Sequence, residues 1–309
     1  MSISNIRIAT RESPLALWQA EHVRRELIRH HPGISVELVA MTTQGDRILD
    51  TPLTTVGGKG LFIKELEHAL LNGDADIAVH SMKDVTVDMP EGLALPVIMK
   101  RADHRDVFIS NRFQSLDELP DSACIGTSSL RRQCQLRAYR PDLELKDLRG
   151  NVGTRLRKLD EDRFDAIVLA AAGIIRLGFE ERIREYLEAD IMLSAIGQGA
   201  IGIEMRAVDP DVLSIIKPLD DEITKIQLMA ERAFSRKLYG GCQLPIAAYA
   251  KIDSDQINLR GLVASPDGKT VIYDELNGTT DNAEPLGLQL AEILLNKGAD
   301  AILRELLHE

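Results

Sequence analysis

The chain has 309 residues, 44% of them hydrophobic and 28% charged, and 37 basic against 48 acidic side chains give a net charge of −11. At roughly 150 residues per domain this is about two domains, with enough chain to bury a sizeable core unaided. The acidic balance excludes a protein whose whole surface grips nucleic acid or anionic lipid, so any anion site must be a local concentration of positive charge.

The first elements alternate. Ile6–Ala9 reads as a strand, and Ser13-Pro14 opens a helix with serine as N-cap and proline in the first turn. Leu17, Ala20, Val23, Leu27 and Ile28 keep helical spacing to His30, and Pro32-Gly33 ends the helix. Val36–Met41 is the next predicted strand. Thr42–Gly60, rich in glycine, reads as a long mobile loop of the kind that carries function. A helix over Leu61–Leu71 and a strand over Ile77–His80 follow.

A break near Lys100–Asp106 precedes a second run of the same kind. Cys124–Gly126 is a strand, and Ser128 or Ser129 caps a helix to Tyr139. Leu143–Leu145, Thr154–Leu159 and Ala166–Leu169 continue as strand, helix and buried strand. Such alternation predicts parallel, doubly wound sheets with ligands at the C-terminal ends of the strands. The last third changes character. A long helix, Asp221–Leu238, leads to Gly240-Gly241-Cys242. Three β-runs follow (Ile246–Ile252, Gln256–Ala264, Thr270–Leu276), turning at Pro266-Asp267-Gly268, and helices over Ala283–Lys297 and Asp300–His308 close a smaller α+β domain.

No apolar run reaches the ~20 residues of a membrane helix, and the N-terminus, with Arg7 inside it, is no secretory signal. Three cysteines without a CxxC pair argue against a disulfide framework or zinc site and fit a reducing cytoplasm. The histidines show no HxxxH or HExxH spacing, so no metal is expected. Nothing matches a dinucleotide fingerprint or P-loop after a strand.

Positive charge concentrates in Gly126–Lys158, with nine basic and three acidic residues; this net +6 leaves −17 for the rest of the chain. Any one of these arginines could simply face solvent. Yet Arg131 and Arg132 stand in the first turn of a helix, where positive charge opposes the dipole unless an anion lies there. Arg149-Gly150-Asn151 repeats the pattern, and arginine presents a planar fork to carboxylate or phosphate. Lys83-Asp84 follows a strand end, where neighbouring side chains point to opposite faces, so one can enter a cleft without pairing with the other. His80, after three apolar residues, reads as a hydrogen-bonded core histidine. Cys124 and Cys134 read as small hydrophobes. Two glycines beside Cys242 suggest an exposed sulfur.

Several strings, in their order and spacing, resemble the porphobilinogen deaminase (hydroxymethylbilane synthase) family over essentially the whole chain. They are Thr10-Arg11-Glu12-Ser13-Pro14, Gly57-Gly58-Lys59-Gly60-Leu61-Phe62, His80-Ser81-Met82-Lys83-Asp84, Gly126-Thr127-Ser128-Ser129-Leu130-Arg131-Arg132, Leu148-Arg149-Gly150-Asn151-Val152-Gly153-Thr154-Arg155 and Gly240-Gly241-Cys242. The resemblance implies two doubly wound domains like those of type II periplasmic binding proteins, residues 1–100 with 198–218 and residues 104–195, flanking a cleft. It adds a small α+β domain, 220–309, with a three-stranded antiparallel sheet. It further implies a dipyrromethane cofactor on Cys242 through a thioether. Onto this primer four porphobilinogen molecules are joined head to tail with release of ammonia, and hydrolysis frees the linear tetrapyrrole of haem biosynthesis.

By the same resemblance Lys83, Ser81, Thr127, Ser129, Arg131, Arg132 and Arg155 bind the cofactor. Arg11, Ser13, Gln19, Arg149, Arg155 and Arg176 face substrate, and Lys59 and Phe62 belong to a lid loop. Each pyrrole carries an acetate and a propionate, which explains why cations and hydroxyls gather. Asp84 is the catalytic candidate: a carboxylate beside a cationic azafulvene stabilises it and moves protons at the pyrrole nitrogen and α-carbon. Thr55, Thr86 and His104 depart from the usual pattern. The implied enzyme is a cytoplasmic monomer acting on a small molecule, without nucleic acid or membrane. A binding module without chemistry would leave Cys242 unexplained, and an RNA binder would lack stacking aromatics, since Tyr139 stands alone in the basic segment.

Overall fold

A computed structural model describes residues 4–43, 45, 63–240 and 244–308. The chain divides into two compact units, Met1–Ala102 with Ala200–Lys225, and Asp103–Gly199 with Ile226–Glu309.

The first unit is built on β1 (Asn5–Arg11), α1 (Pro14–His30), β2 (Ser35–Met41), α2 (Lys64–Leu71), β3 (Ile77–Ser81), β4 (Leu93–Ile98) and, late in the chain, β10 (Ile201–Arg206). Its five-stranded sheet runs β2-β1-β3-β10-β4. Strands β1, β2 and β3 are parallel, while β10 is antiparallel to both β3 and β4. The two faces are covered separately because strand side chains alternate. On one face Ile6, Ile8, Ile77 and Val79 pack with Ala20, Val23 and Leu27 of α1. On the other, Ala9 and Ala78 pack with Leu66, Ala69 and Leu70 of α2.

The second unit repeats the plan with β5 (Asp106–Ile109), β6 (Cys124–Gly126), α3 (Leu130–Tyr139), β7 (Glu144–Lys146), α4 (Val152–Asp160), β8 (Ala166–Ala170), α5 (Ala171–Arg176) and β9 (Glu185–Leu187). Its sheet runs β7-β6-β8-β5-β9, with β5 antiparallel to β8 and β9. The expectation of purely parallel sheets is therefore corrected. Each sheet takes one strand from a chain segment that has just left the other unit, and that strand enters against the direction of the rest. Strands β4, β5, β9 and β10 were not predicted.

Helix α6 (Pro210–Ile216) belongs to the first unit, whereas α7 (Glu222–Lys237) continues from the first unit into the second. Strands β11 (Ile246–Asp253), β12 (Gln256–Ala264) and β13 (Val271–Thr279) form an antiparallel three-stranded sheet, as expected. Helix α8 (Ala283–Leu294) covers it, sharing a core of Ala230, Phe234, Leu259, Val263 and Leu290, and α9 (Asp300–His308) closes the chain. Cys134 and Leu193 pack against Ala247 and Leu262, joining this sheet to α3. The fold class read from the sequence, two doubly wound α/β sheets and a small α+β layer, is the one observed. Among the described residues no helix is long and apolar enough to cross a membrane.

Candidate functional site

In the first unit, β1 and β3 lie side by side in parallel and end together. Strand β1 ends at Arg11, and Ser13 caps α1, its Oγ accepting from the Ala16 N–H at 3.4 Å. Strand β3 ends at Ser81 and enters a 3₁₀ turn, Met82–Asp84. These ends line a cleft of about 400 Å³, counting space open to solvent, with Arg11, Ser13, Gln19, His80, Ser81 and Asp84 among its walls. The buried Gln19 donates from Nε2 to Ser81 Oγ at 2.8 Å and so ties α1 to the end of β3. Lys83 and Asp84 are both half-buried in the turn. A cation, two hydroxyls and a carboxylate at strand C-terminal ends can bind an anionic group and set a second carboxylate beside it. His80 is a core histidine, as predicted: its Nε2 lies 2.8 Å from Glu204 Oε2 and both side chains are buried.

In the second unit, β6 delivers Thr127, Ser128 and Ser129 to the start of α3. Ser129 occupies the N-cap position, but no side-chain cap bond forms there. Instead Thr127 Oγ1 accepts from the Ser129 N–H at 3.3 Å and Ser128 Oγ donates to the Leu148 carbonyl at 3.2 Å. The anion that the two arginines called for is supplied by the chain itself. Arg132 donates from Nε and Nη2 to Asp106 Oδ1 at 2.9 and 2.7 Å, and Arg131 Nη2 lies 2.8 Å from Asp106 Oδ2. Arg131 Nη1 also donates to the Leu193 carbonyl and Arg132 Nη1 to that of Val168. Gln198 Nε2 adds a third bond to Asp106 Oδ1 at 3.1 Å. Burial alone would raise the Asp106 carboxyl, but the charges and hydrogen bonds of Arg131 and Arg132 outweigh it and hold the group at about 2. Burial dominates for Arg131, whose guanidinium is lowered despite Asp106.

Arg149 and Arg155 flank the tight turn into α4. Gly150 has φ +109, and a Cβ there would run into Thr154 Cβ at 2.8 Å, so glycine is required. Asn151 caps α4 by accepting from the Thr154 N–H at 2.9 Å, and Arg155 Nε donates to the Gly150 carbonyl at 2.7 Å. Arg176, at the end of α5, donates to the Gly199 carbonyl at 2.8 Å, and burial lowers its guanidinium to about 10.

The rest of the basic segment is largely occupied locally. Arg140 pairs with Asp142, Lys146 with Glu144 and Arg157 with Glu161, while Lys158 Nζ donates to the Arg149 carbonyl. Burial pushes the Cys134 thiol up to about 11, and Cys124 is raised by the same cause, as inert small hydrophobes should be. No metal-binding cluster occurs among the described residues. The expected lid residues Lys59 and Phe62, the departure at Thr55 and the attachment residue Cys242 lie outside the described residues. Thr86 Oγ1 donates to the Asp88 carbonyl, and the ring of His104 stacks on Tyr249 with centroids 3.6 Å apart. Sequence reasoning missed Asp106, Gln198 and Glu204. Of these only Asp106 carried a signal, as an acid opening the apolar run Val107-Phe108-Ile109.

Two family models match the chain: "Porphobilinogen deaminase, dipyromethane cofactor binding domain" over residues 6–214, and "Porphobilinogen deaminase, C-terminal domain" over residues 225–296. Among solved structures, the methionine binding protein MetQ aligns at 14% identity with a TM-score of 0.46, covering 70% of this chain and 90% of that one. A nutrient binding protein from Burkholderia cenocepacia, bound to methionine, aligns at 13% identity and TM-score 0.42, covering 69% and 91%. A periplasmic substrate-binding protein of an ABC transporter from Coxiella burnetii gives 13% identity, TM-score 0.42 and the same coverage, 69% and 91%.

Proposed function

The chain belongs to the porphobilinogen deaminase family, the hydroxymethylbilane synthases of tetrapyrrole biosynthesis with a dipyrromethane cofactor, and from that premise we propose how its residues serve the reaction. The enzyme joins four porphobilinogen molecules head to tail on a primer held by Cys242, releases ammonia, and hydrolyses off the linear tetrapyrrole. The dipyrromethane, when bound, would supply the nucleophilic pyrrole carbon for the first addition, and the terminal pyrrole of the growing chain would supply it for each later one.

The residues present fit such a group. Its carboxylates need fixed cations and donors, and each guanidinium has five N–H groups. Arg131 and Arg132 keep N–H groups beyond those spent on Asp106, Leu193 and Val168. With Lys83, Ser81, Thr127, Ser129 and Arg155 they bind the cofactor's acetates and propionates. Arg11, Ser13, Gln19, Arg149, Arg155 and Arg176 serve the incoming substrate, and Lys59 and Phe62 form the lid. Gln19 works by orienting the Ser81 hydroxyl. Asp84, in the cleft wall, would stabilise the positive charge that develops as ammonia leaves and would take the proton released when the new carbon–carbon bond forms. The same reading takes residues 1–100 with 198–218, 104–195 and 220–309 as three domains of a cytoplasmic monomer with porphobilinogen as its small-molecule partner.

The observation that carries this reading is the cleft that gathers Arg11, Ser13, Gln19, Ser81 and Asp84 at adjoining strand ends. Intact-mass measurement of the purified protein tests it together with turnover of porphobilinogen. We expect a two-pyrrole adduct that is absent from Cys242→Ser, and ammonia release in step with tetrapyrrole formation. An adduct persisting on Cys242→Ser would refute the attachment site. An unmodified chain that consumes no porphobilinogen would refute the reading as a whole.

A further inference from the structure

Asp106 fixes Arg131 and Arg132, but the chain that delivers Asp106 needs a fixing of its own. Residues 101–105, which lead into β5, form neither helix nor strand, and neither does the stretch 193–199 beyond β9. Gly197 and Gly199 turn in the left-handed region within that stretch, at φ +70 and +91. Leu193, Ser194 and Gln198 are nevertheless buried. Buried backbone outside helix and sheet depends on side chains for its hydrogen bonds and its place.

The two stretches are sewn to each other. His104 Nδ1 lies 2.8 Å from Ser194 Oγ. The carbonyl of Leu193, one residue earlier, accepts from Arg131 Nη1 at 2.6 Å and from Gln135 Nε2 at 3.1 Å, while Gln135 Oε1 accepts the Leu193 N–H at 2.7 Å. Arg131 Nη2 in turn lies 2.8 Å from Asp106 Oδ2, and Asp106 stands two residues after His104. These contacts close a circuit from His104 through Ser194, Leu193, Arg131 and Asp106 back to His104. Gln198 Nε2 spans it, donating to the His104 carbonyl at 2.8 Å and to Asp106 Oδ1 at 3.1 Å. In a closed circuit no member shifts without lengthening a bond elsewhere, so position is fixed more strictly than by any one bond.

Strand β11 holds the circuit at its weakest link. The ring of Tyr249 stacks on that of His104, with centroids 3.6 Å apart and planes 19° from parallel, which adds aromatic contact to the single bond that His104 makes with Ser194. The neighbouring Ala248 N–H donates to the Ser194 carbonyl at 3.2 Å. Both partners of the His104–Ser194 contact are thus tied to β11, which is itself paired with β12 along its length. The chemistry proposed above gives no role to His104, Ser194 or Tyr249.

We propose that His104, with Ser194 and Tyr249, is a positioning residue that holds Asp106 in register against Arg131 and Arg132 and so aims the guanidinium N–H groups left for the cofactor's carboxylates. The aim rests on the reading of Arg131 and Arg132 as cofactor-binding; the hold on Asp106 does not. Ser194→Ala removes a hydroxyl and no charge, and it tests the hold without turnover. Loosening Asp106 from the guanidiniums brings its carboxyl back toward the ordinary 3.8, so the stability lost between roughly pH 4 and pH 2 in urea unfolding should shrink to about half. A contact that merely adds stability lowers the curve equally at every pH and leaves this limb alone. His104→Phe keeps the stack on Tyr249 without the bond. Each change should lower kcat several-fold with KM for porphobilinogen within about twofold, because the fault lies in alignment rather than in substrate capture. The double variant should lose no more than either single one, since both remove the same contact. An unchanged acid limb in Ser194→Ala, or fully additive losses in the double variant, overturns the hold. If the limb shrinks but both single variants turn over normally, the aim is overturned. Normal turnover in Arg132→Gln as well would lay that failure on the cofactor-binding reading, and impaired turnover there would lay it on His104.

Discussion

At the scale of single residues, Asp84 and Asp106 show two uses of a carboxylate. Asp84 is half-buried in the wall of an open cleft, whereas Asp106 is wholly buried between two guanidiniums. Asp84→Asn keeps shape and loses charge. Turnover is expected to fall by roughly 10² or more, the usual loss for a missing acid–base or electrostatic group, while intact mass still shows the adduct. Near-normal turnover in that variant would take Asp84 out of the mechanism. Asp106 has a pH signature. Its carboxyl is held at about 2, below its ordinary value of 3.8, so its contribution to stability is complete above the unfolded-state value and is lost as pH falls through the folded one. That contribution is worth about 2 kcal/mol. Urea unfolding should show it disappearing between roughly pH 4 and pH 2, and a curve for Asp106→Asn with the same acid limb would contradict this. The cations of the site were legible because arginines in a helix's first turn call for an anion. Their partner was not, since Asp106 lies 26 positions away from Arg132 and only the sheet brings the two together.

At the scale of elements, local chemistry was readable wherever it acts within a few residues. Ser13-Pro14 starts α1 where the sequence placed it, and Ala20, Val23 and Leu27 bury the stripe that their spacing predicts. The predicted Ser128 or Ser129 cap of α3 is the exception. The Ser128 hydroxyl is spent on the Leu148 carbonyl, and the Ser129 backbone N–H donates to the Thr127 hydroxyl. Asn151 does cap α4, and Asn151→Ala should destabilise the protein by about 1 kcal/mol, measurable as a shift in the denaturation midpoint. The same change loosens the turn that carries Arg149, so a rise in KM for porphobilinogen is expected with it. Strands β5 and β10 escaped sequence reading because they are buried on both faces and show no alternation, β9 because it has only three residues, and β4 because Pro96 within it argues against a strand.

At the scale of the whole molecule, the two sheets share one plan, each with a single antiparallel strand contributed by the connection between units. A covalently loaded protein gains contacts that the apoprotein lacks, and ligands that favour the folded state raise stability. The adduct-bearing protein should therefore unfold at a higher temperature than Cys242→Ser, as scanning calorimetry can measure. Equal midpoints would indicate that the bound group makes no net stabilising contact. The sequence by itself determined the fold class, the family and the elements outside β4, β5, β9 and β10, since periodicity, capping residues and motif order are local properties of the chain. It also located the surplus of positive charge, but not its state. Only the tertiary structure decided that Arg131 and Arg132 are clamped by Asp106, that Arg140, Lys146 and Arg157 are engaged by nearby acids, and that Arg11, Gln19, Ser81 and Asp84 meet at one cleft. Pairing between distant residues depends on strand register and on which face each side chain takes, and both are set by packing of the whole sheet rather than by neighbours in sequence.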